Sequence, residues 1–399
     1  MENKLSTEND MREQIKAAVK NNALSVESLV KLLYENPEIG GEEVFAHDLL
    51  TNWLTENGFT VTENFVMPTG FLAEYGTNNS GPTIAFPAEY DALPDIGHGC
   101  GHNLFGGISI LAAKAMQAVV DEIGGRILVI GTPAEENFGG KIKMTAMGAF
   151  DNVDAALMIH PGNKNGLGGA TLAINPVKFE FFGKNAHSCR AYEGASALDA
   201  AVLTYTAINL QRQFIRENCY IHGVIKEGGT AANVIPAYAS LEYYFRAPTM
   251  AAALAMTEDA VNRAEAAAAA ASCTMKHSIF ECPYGETLLN EKLAELMEAE
   301  FSQLGLEEIE PLEDNPLGSS DVGAVSFVCP TIHASIKIAD SDVAGHSKEM
   351  AAATISEAGN KALQDGAAAL ALTANTLFYQ PDVLKACQDE FQLKKNGSA

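Results

Sequence analysis

The chain has no apolar run of about 18 or more residues, the length a helix needs to cross a bilayer. Its opening stretch, Met1 to Lys20, is charged and has no apolar core of a secretory signal. Membrane insertion and secretion by these routes are therefore not expected, and the expected location is the cytoplasm. Basic residues are scarce, 26 against 51 acidic, for a net charge of −25. That field repels phosphate backbones and anionic lipid, so neither nucleic acid nor a membrane surface is an expected partner. A disulfide framework is also missing. The seven cysteines are odd in number and scattered, which points to reduced thiols, most of them buried as small apolar groups. No repeat of fixed period is visible. No Gly-x-Gly-x-x-Gly turn follows a strand-like run, which discounts a zinc alcohol dehydrogenase-like reading.

What is present is an ordinary globular composition, 47% hydrophobic and 19% charged, in 399 residues. That length exceeds what one core usually serves, so two domains are expected, one of them discontinuous. The start, to about Asn22, is polar and expected to fray. Helical spacing begins at Leu24 and stops at Asn36-Pro37, and a second helix runs from Glu43 to Asn57-Gly58. Short apolar runs at Thr83 to Phe86, Arg126 to Ile130 and Ala155 to Ile159 alternate with a helix over Leu104 to Val120. That alternation indicates an α/β sheet covered on both faces. From Asn175-Pro176 the order becomes strand, helix, two strands, a long Ala-rich helix over Met250 to Ala271, and a last strand. This succession resembles a ferredoxin-like α+β unit. After Pro283 come a helix (Asn290 to Leu304), a Gly-Ser loop and a final Ala-rich helix, Met350 to Phe378. The expected domains are 1–174 with 284–399, and an inserted 175–283.

Polar clusters follow the apolar runs at their C-terminal ends, where open α/β sheets bind ligands. Glu89 and Asp91 follow Phe86, Glu135 and Glu136 follow Ile130, and His160 follows Ile159 on what reads as a loop. In His98-Gly99-Cys100-Gly101-His102-Asn103, residues two apart share one side of an extended segment. With glycine on both sides of Cys100 an extended or turning backbone is easy, so Cys100 and His102 can converge on one ion, and thiolate with imidazole suits zinc and similar metals. Taken alone, so short a pair reads first as a buried thiol beside a helix-capping imidazole. Glu135 and Glu136 can divide duties, one binding metal and the other taking a proton from water, or can be a solvated face. His346, before the last helix, could close the site from the far end of the chain.

Together these segments resemble the M20 metallopeptidase and amidohydrolase family. They look most like its branch of N-acyl-amino-acid, hippurate and aminobenzoyl-glutamate hydrolases and related dipeptidases. The resemblance rests on Glu89-Tyr90-Asp91-Ala92-Leu93-Pro94, the segment His98 to Asn103, Pro133 to Glu136, and His160-Pro161. It continues through Gly183 to His187, Asn233 to Pro236, Arg246 and Gly345-His346-Ser347. It implies a metal-binding α/β domain interrupted by a ferredoxin-like dimerisation (lid) domain, and a homodimer. It further implies two divalent ions per chain (Zn, Mn or Co) held by Cys100, His102, Glu136, His160 and His346. Glu135 would be the general base and Asp91 the carboxylate orienting a ligand. His187 would reach a partner's site and hold the oxyanion. Asn233 and Arg246 would bind the substrate's carbonyl and carboxylate. From the residues alone, His187 also reads as a loop cap, Asn233 as a turn residue and Arg246 as a strand ion pair. Two stretches depart from the branch: Asn103 stands where Asp is common, and Ser188 to Tyr192 replaces an Ala-rich segment. Arg190, within the latter, reads as a surface arginine or an anion contact.

The expected activity is metal-dependent hydrolysis of an amide in a small N-acyl amino acid, aryl-amide or dipeptide with a free carboxylate. The rival expectation is a catalytically inactive binding or regulatory protein on the same scaffold, which would need no general base.

Overall fold

A 34-residue helix, not a frayed tail, opens the chain. The structure is a computed structural model that describes residues 2–77, 81–313 and 318–397. Helix Glu2–Glu35 buries Met11, Ile15, Val19, Val26, Val30 and Leu33. That spacing is an apolar stripe running through the stretch expected to fray. The charged solvent face hides it in the sequence.

The chain divides into two units. One comprises Met1–Ala170, Thr287–Asn315 and Asp321–Ala399, and the other Thr171–Glu286 with Pro316–Ser320. Strands β1 (Thr60–Glu63), β2 (Phe71–Thr77), β3 (Thr83–Ala88), β4 (Gly125–Gly131) and β5 (Ala155–Gly162) come first in the chain. The second unit follows with β6 (Ala173–Phe182), β7 (Ala186–His187), β8 (Tyr220–Glu227), β9 (Val234–Ile235), β10 (Tyr238–Ala247) and β11 (Thr274–Ile279). Strand β12 (Thr331–Lys337) returns to the first unit.

In the first unit the sheet order is β1-β2-β4-β3-β5-β12. Strands β4, β3, β5 and β12 are parallel, and β2 and β1 extend the sheet antiparallel beyond β4. The central strand β3 is buried along its whole length, as expected of a parallel strand covered on both faces. Three strands have no counterpart in the sequence reading. β1 exposes most of its side chains, and β2 and β12 lack a continuous apolar run. The helix after β3 is interrupted at Met116, giving His102–Ala115 and Gln117–Ile123. By length and composition His102–Ile123 could pass for a membrane span, but 83% of its apolar window is buried inside the protein. Its apolarity serves the core. The final helix is also split, into Lys348–Ala353 and Glu357–Tyr379, because Ser356 caps a new helix by accepting from the Gly359 N–H. A further helix, Pro381–Gly397, begins with proline at its first turn, where a missing N–H does no harm.

In the second unit the sheet order β11-β6-β10-β8 is antiparallel throughout. Numbered within the unit this is 4-1-3-2, with helices Ala197–Gln211 and Met250–Ala270 in the ferredoxin-like positions. One sheet face contributes Phe179, Phe181, Leu241, Tyr243 and Phe245 to a core closed by Ala200, Ala201, Ile208, Ala260 and Ala264. Small alanines let the helices lie close to the aromatic face. β7 and β9 form a separate short ladder.

The fit of helix His102–Ala115 against the N-terminal helix depends on Gly107. A Cβ there would lie 2.6 Å from Val30 Cγ2 and 3.2 Å from Leu363 Cδ1. Alanine is favoured over glycine within a helix by about 1 kcal/mol, whereas overpacking a tight core costs about 1–3 kcal/mol. Gly107→Ala is therefore expected to lower the unfolding free energy by about 1 kcal/mol in denaturant titration. A variant at least as stable as the parent would show that the two helices can move apart freely.

Candidate metal centre

The strand order places β3 between β4 and β5, so the three polar clusters that follow these strands meet at one sheet edge. Of the extended and turning backbones that the flanking glycines allow, the structure has the turn, and it brings Cys100 and His102 together. Gly101 has φ +87°, a region glycine enters without strain. A Cβ on Gly101 would lie 2.5 Å from Pro161 Cγ, so only glycine lets the turn press against the end of β5. His102 then starts the following helix. His160 is a strand residue, paired with Ser335 across β5 and β12, and not the loop residue expected. Its Nε2 lies 3.4 Å from Cys100 Sγ.

Both imidazoles are fixed from behind. His160 Nδ1 donates to the Pro161 carbonyl at 2.6 Å, which leaves Nε2 as the bare acceptor. His102 Nδ1 donates to Asp91 Oδ1 at 2.8 Å, and the other Asp91 oxygen accepts the Glu136 N–H at 3.0 Å. Burial and the neighbouring His102 push His160 down to about 3, so it is a neutral, ligand-ready imidazole. Burial pushes the Cys100 thiol up to about 12 in the chain alone. A cation is thus what would make it a thiolate, with release of a proton.

Glu135 and Glu136 follow a strained residue. Ala134 is fully buried with φ 62°, and its N–H donates to Glu43 Oε1 at 2.8 Å. Such strain persists only where the surroundings enforce it, and it gathers at functional sites. Glu43, which also accepts from the Thr69 hydroxyl at 2.7 Å, does the enforcing. Burial, then Asp321 and Glu89, raise Glu135 to about 8. His346 is left-handed as well, with φ 57°, and donates its N–H to the Gly99 carbonyl at 3.0 Å. Its side chain is half exposed, with Nε2 3.7 Å from Glu136 Oε1.

Three donor groups result, each with its ligand atoms within 4.8 Å of one another: Cys100-His102-His160, Cys100-Glu136-His346 and His102-Glu135-Glu136. Cys100 is common to two of them. His102 Nε2 and Glu136 Oε1 are buried and form no hydrogen bond. A thiol, imidazoles and carboxylates with unmet donor atoms fit a pair of divalent ions.

Sequence reasoning missed Glu43, Lys141, Asp321 and His333. Lys141 is fully buried, 2.6 Å from Glu89 Oε1 and 2.7 Å from Asp321 Oδ1. Burial opposes charge on Glu89, but Lys141 and His102 outweigh it and bring that carboxyl down to about 2. His333 has a buried Nε2 without a hydrogen bond, and its ring stands edge-on to His160 at 5.6 Å. Nothing in the local sequence separates these residues from surface ones.

His187, Asn233 and Arg246 belong to the second unit. The β7–β9 ladder brings the first two together, with Ser188 N–H donating to the Asn233 carbonyl at 3.0 Å. His187 is exposed and its Nδ1 accepts the Cys189 N–H, so it does cap its loop. The proton is then on Nε2, which is left as a donor. Arg246 lies on β10, donates to Ser319 Oγ at 3.0 Å and stacks over the Tyr244 ring at 5.9 Å. Among the described residues it makes no strand ion pair of the kind considered. Arg190 pairs with Glu193 on the surface.

Comparison with known proteins identifies the family. The profile described as Peptidase family M20/M25/M40 matches residues 85–374. The chain is 36% identical to a mouse Xaa-Arg dipeptidase over 92% of its own length and 89% of the relative's. It is 33% identical to a p-aminobenzoyl-glutamate hydrolase chain of Escherichia coli (strain K12), over 69% of this chain and 62% of that one. A solved structure of a putative aminohydrolase from methicillin-resistant Staphylococcus aureus superposes with TM-score 0.77 at 19% identity, covering 92% of this chain and 100% of that one. The chain belongs to peptidase family M20/M25/M40, and it is a hydrolytic enzyme of the metallopeptidase and amidohydrolase kind.

Proposed function

We propose that this enzyme hydrolyses dipeptides that carry a free carboxylate and a cationic C-terminal side chain, using two divalent ions. The observation that carries the substrate class is the near full-length similarity to Xaa-Arg dipeptidase. The net charge of −25 supports it, since an acidic surface draws cationic substrates in. Cys100, His102, Glu136, His160 and His346 would hold the ions, and the thiolate-imidazole set favours zinc, with manganese or cobalt as substitutes.

Bound there, the ions supply Lewis acidity toward the amide carbonyl and make a water easier to deprotonate. Glu135 takes the proton and returns it to the leaving amine. Its raised carboxyl suits a group that must both accept and give. Asp91 keeps His102 in the tautomer that offers Nε2. His187, with its proton on Nε2, serves as oxyanion donor. The Asn233 amide holds a substrate carbonyl, and the Arg246 fork takes the carboxylate with the N–H groups that Ser319 leaves free.

The working form is a homodimer. β8 pairs only with β10 among the described residues, leaving its outer edge open, and it exposes Val224 and Ile225. Helix Ala197–Gln211 of the same unit exposes Val202, Leu203 and Leu210. An apolar edge strand of this kind is a template for pairing with a second copy.

Three measurements test these assignments. Enzyme stripped by chelator and reloaded with Zn²⁺, Mn²⁺ or Co²⁺ should cleave Xaa-Arg and Xaa-Lys dipeptides well above Xaa-Glu or N-acetyl amino acids. A flat profile, or full activity in excess chelator, would end the proposal. Glu135→Gln should keep its metal content by elemental analysis while kcat drops roughly 100- to 10,000-fold. Normal turnover would remove Glu135 as the base. In light scattering the parent should have a dimer mass, and Leu203→Glu combined with Val224→Lys a monomer mass. A monomeric parent contradicts the dimer outright.

A further inference from the structure

Among the described residues Lys141 is the one lysine or arginine with no exposed surface, and its partners come from distant parts of the chain. Its Nζ lies 2.6 Å from Glu89 Oε1 and 2.7 Å from Asp321 Oδ1. Its backbone N–H donates to the other Asp321 oxygen at 2.9 Å. Glu89 follows the end of β3, Lys141 lies in helix Gly140–Ala146, and Asp321 immediately precedes helix Val322–Ser326. Stability alone does not account for such a cluster. Buried ion pairs can often be replaced by apolar side chains at no loss, because desolvation offsets the attraction.

The three groups sum to one surplus negative charge, and one atom is left over. Both Asp321 oxygens and Glu89 Oε1 are engaged. Glu89 Oε2 is buried and without a hydrogen bond, 3.1 Å from His102 Nε2, which is equally buried and equally unbonded. In the chain alone this buried carboxylate oxygen and imidazole nitrogen are paired by charge, and a cation bound between them would displace the imidazole proton and take both as donors. With metal–donor bonds of about 2.0–2.2 Å, two neighbouring donors on one ion lie about 3 Å apart. Asp91 already occupies the opposite nitrogen of His102, so Nε2 is the one left for a metal.

We propose that Glu89 is a further carboxylate donor of the metal centre, acting on the ion held by His102, and that Lys141, locked by Asp321, is the positioning residue that keeps it there. The lysine neutralises one oxygen and pins it, so the carboxylate presents only the other and cannot chelate with both. The inference rests on the cluster being a metal site, and it adds a donor beyond the five assigned above.

The test uses metal binding by the full chain. Metal-free parent, Glu89→Gln, and the double variant Lys141→Met with Asp321→Asn are titrated with Co²⁺ against a competing chelator. Visible absorption reports the ligand field, and thermal unfolding of the metal-free forms reports folding. Glu89→Gln preserves shape, and the double variant removes one charge of each sign. Both should bind Co²⁺ about 10–100-fold more weakly, the loss typical when a group supporting a metal site is removed, and both should show an altered visible spectrum. Parent-like affinity and spectrum in Glu89→Gln overturn the proposal, whatever happens to unfolding temperature. If the double variant does not fold, Glu89→Gln alone decides. A parent that takes up no Co²⁺ would instead overturn the metal reading itself.

Discussion

One carboxylate ties the site together. Asp91 gives one oxygen to His102 Nδ1 and the other to the Glu136 N–H, so it fixes an imidazole after β3 and a carboxylate segment after β4 at once. That double use is available only because β3 and β4 are neighbours in the sheet. The contact of Gly101 with Pro161 then adds the end of β5, and His160 with it. The arrangement follows from the order β4-β3-β5 and from one turn that accepts no side chain. His346 joins from a separate segment through its own left-handed backbone and its bond to Gly99.

The parallel strands could be read from the sequence because each is a short apolar run followed by polar residues, and burial on both faces imposes that pattern. Strands that face solvent leave no such mark. Thr60–Glu63 is mostly exposed and gives no signal. The N-terminal helix was hidden by its charged outer face, although Ile15 and Val19 keep the helical interval. The ferredoxin-like order was legible from the succession of elements alone, since that succession allows few antiparallel sheets.

Within the candidate site the residues that gather were legible by type and position, and their supports were not. Lys141 and Lys143 stand two residues apart in the same helix, one fully buried between carboxylates and the other exposed. Nothing local tells them apart, because the difference lies in Asp321, 180 residues further on. Glu43 is similar: it looks like a helix-start acid, yet it holds the strained peptide ahead of Glu135. Long-range electrostatic partners are set by tertiary packing, which a single sequence does not display.

The interruption of the first unit bears on how the polypeptide is made. Ribosomes deliver the chain from its N-terminus, and domains commonly fold as units while synthesis continues. The inserted unit has its four-stranded sheet within one continuous segment, β6 to β11. The catalytic unit, by contrast, must wait for β12 to cover β5 and for Asp321 to reach Lys141. The sheet of the insert is therefore fully synthesised before Asp321 and β12 exist, and the pairing of Lys141 with Asp321 can close only after them.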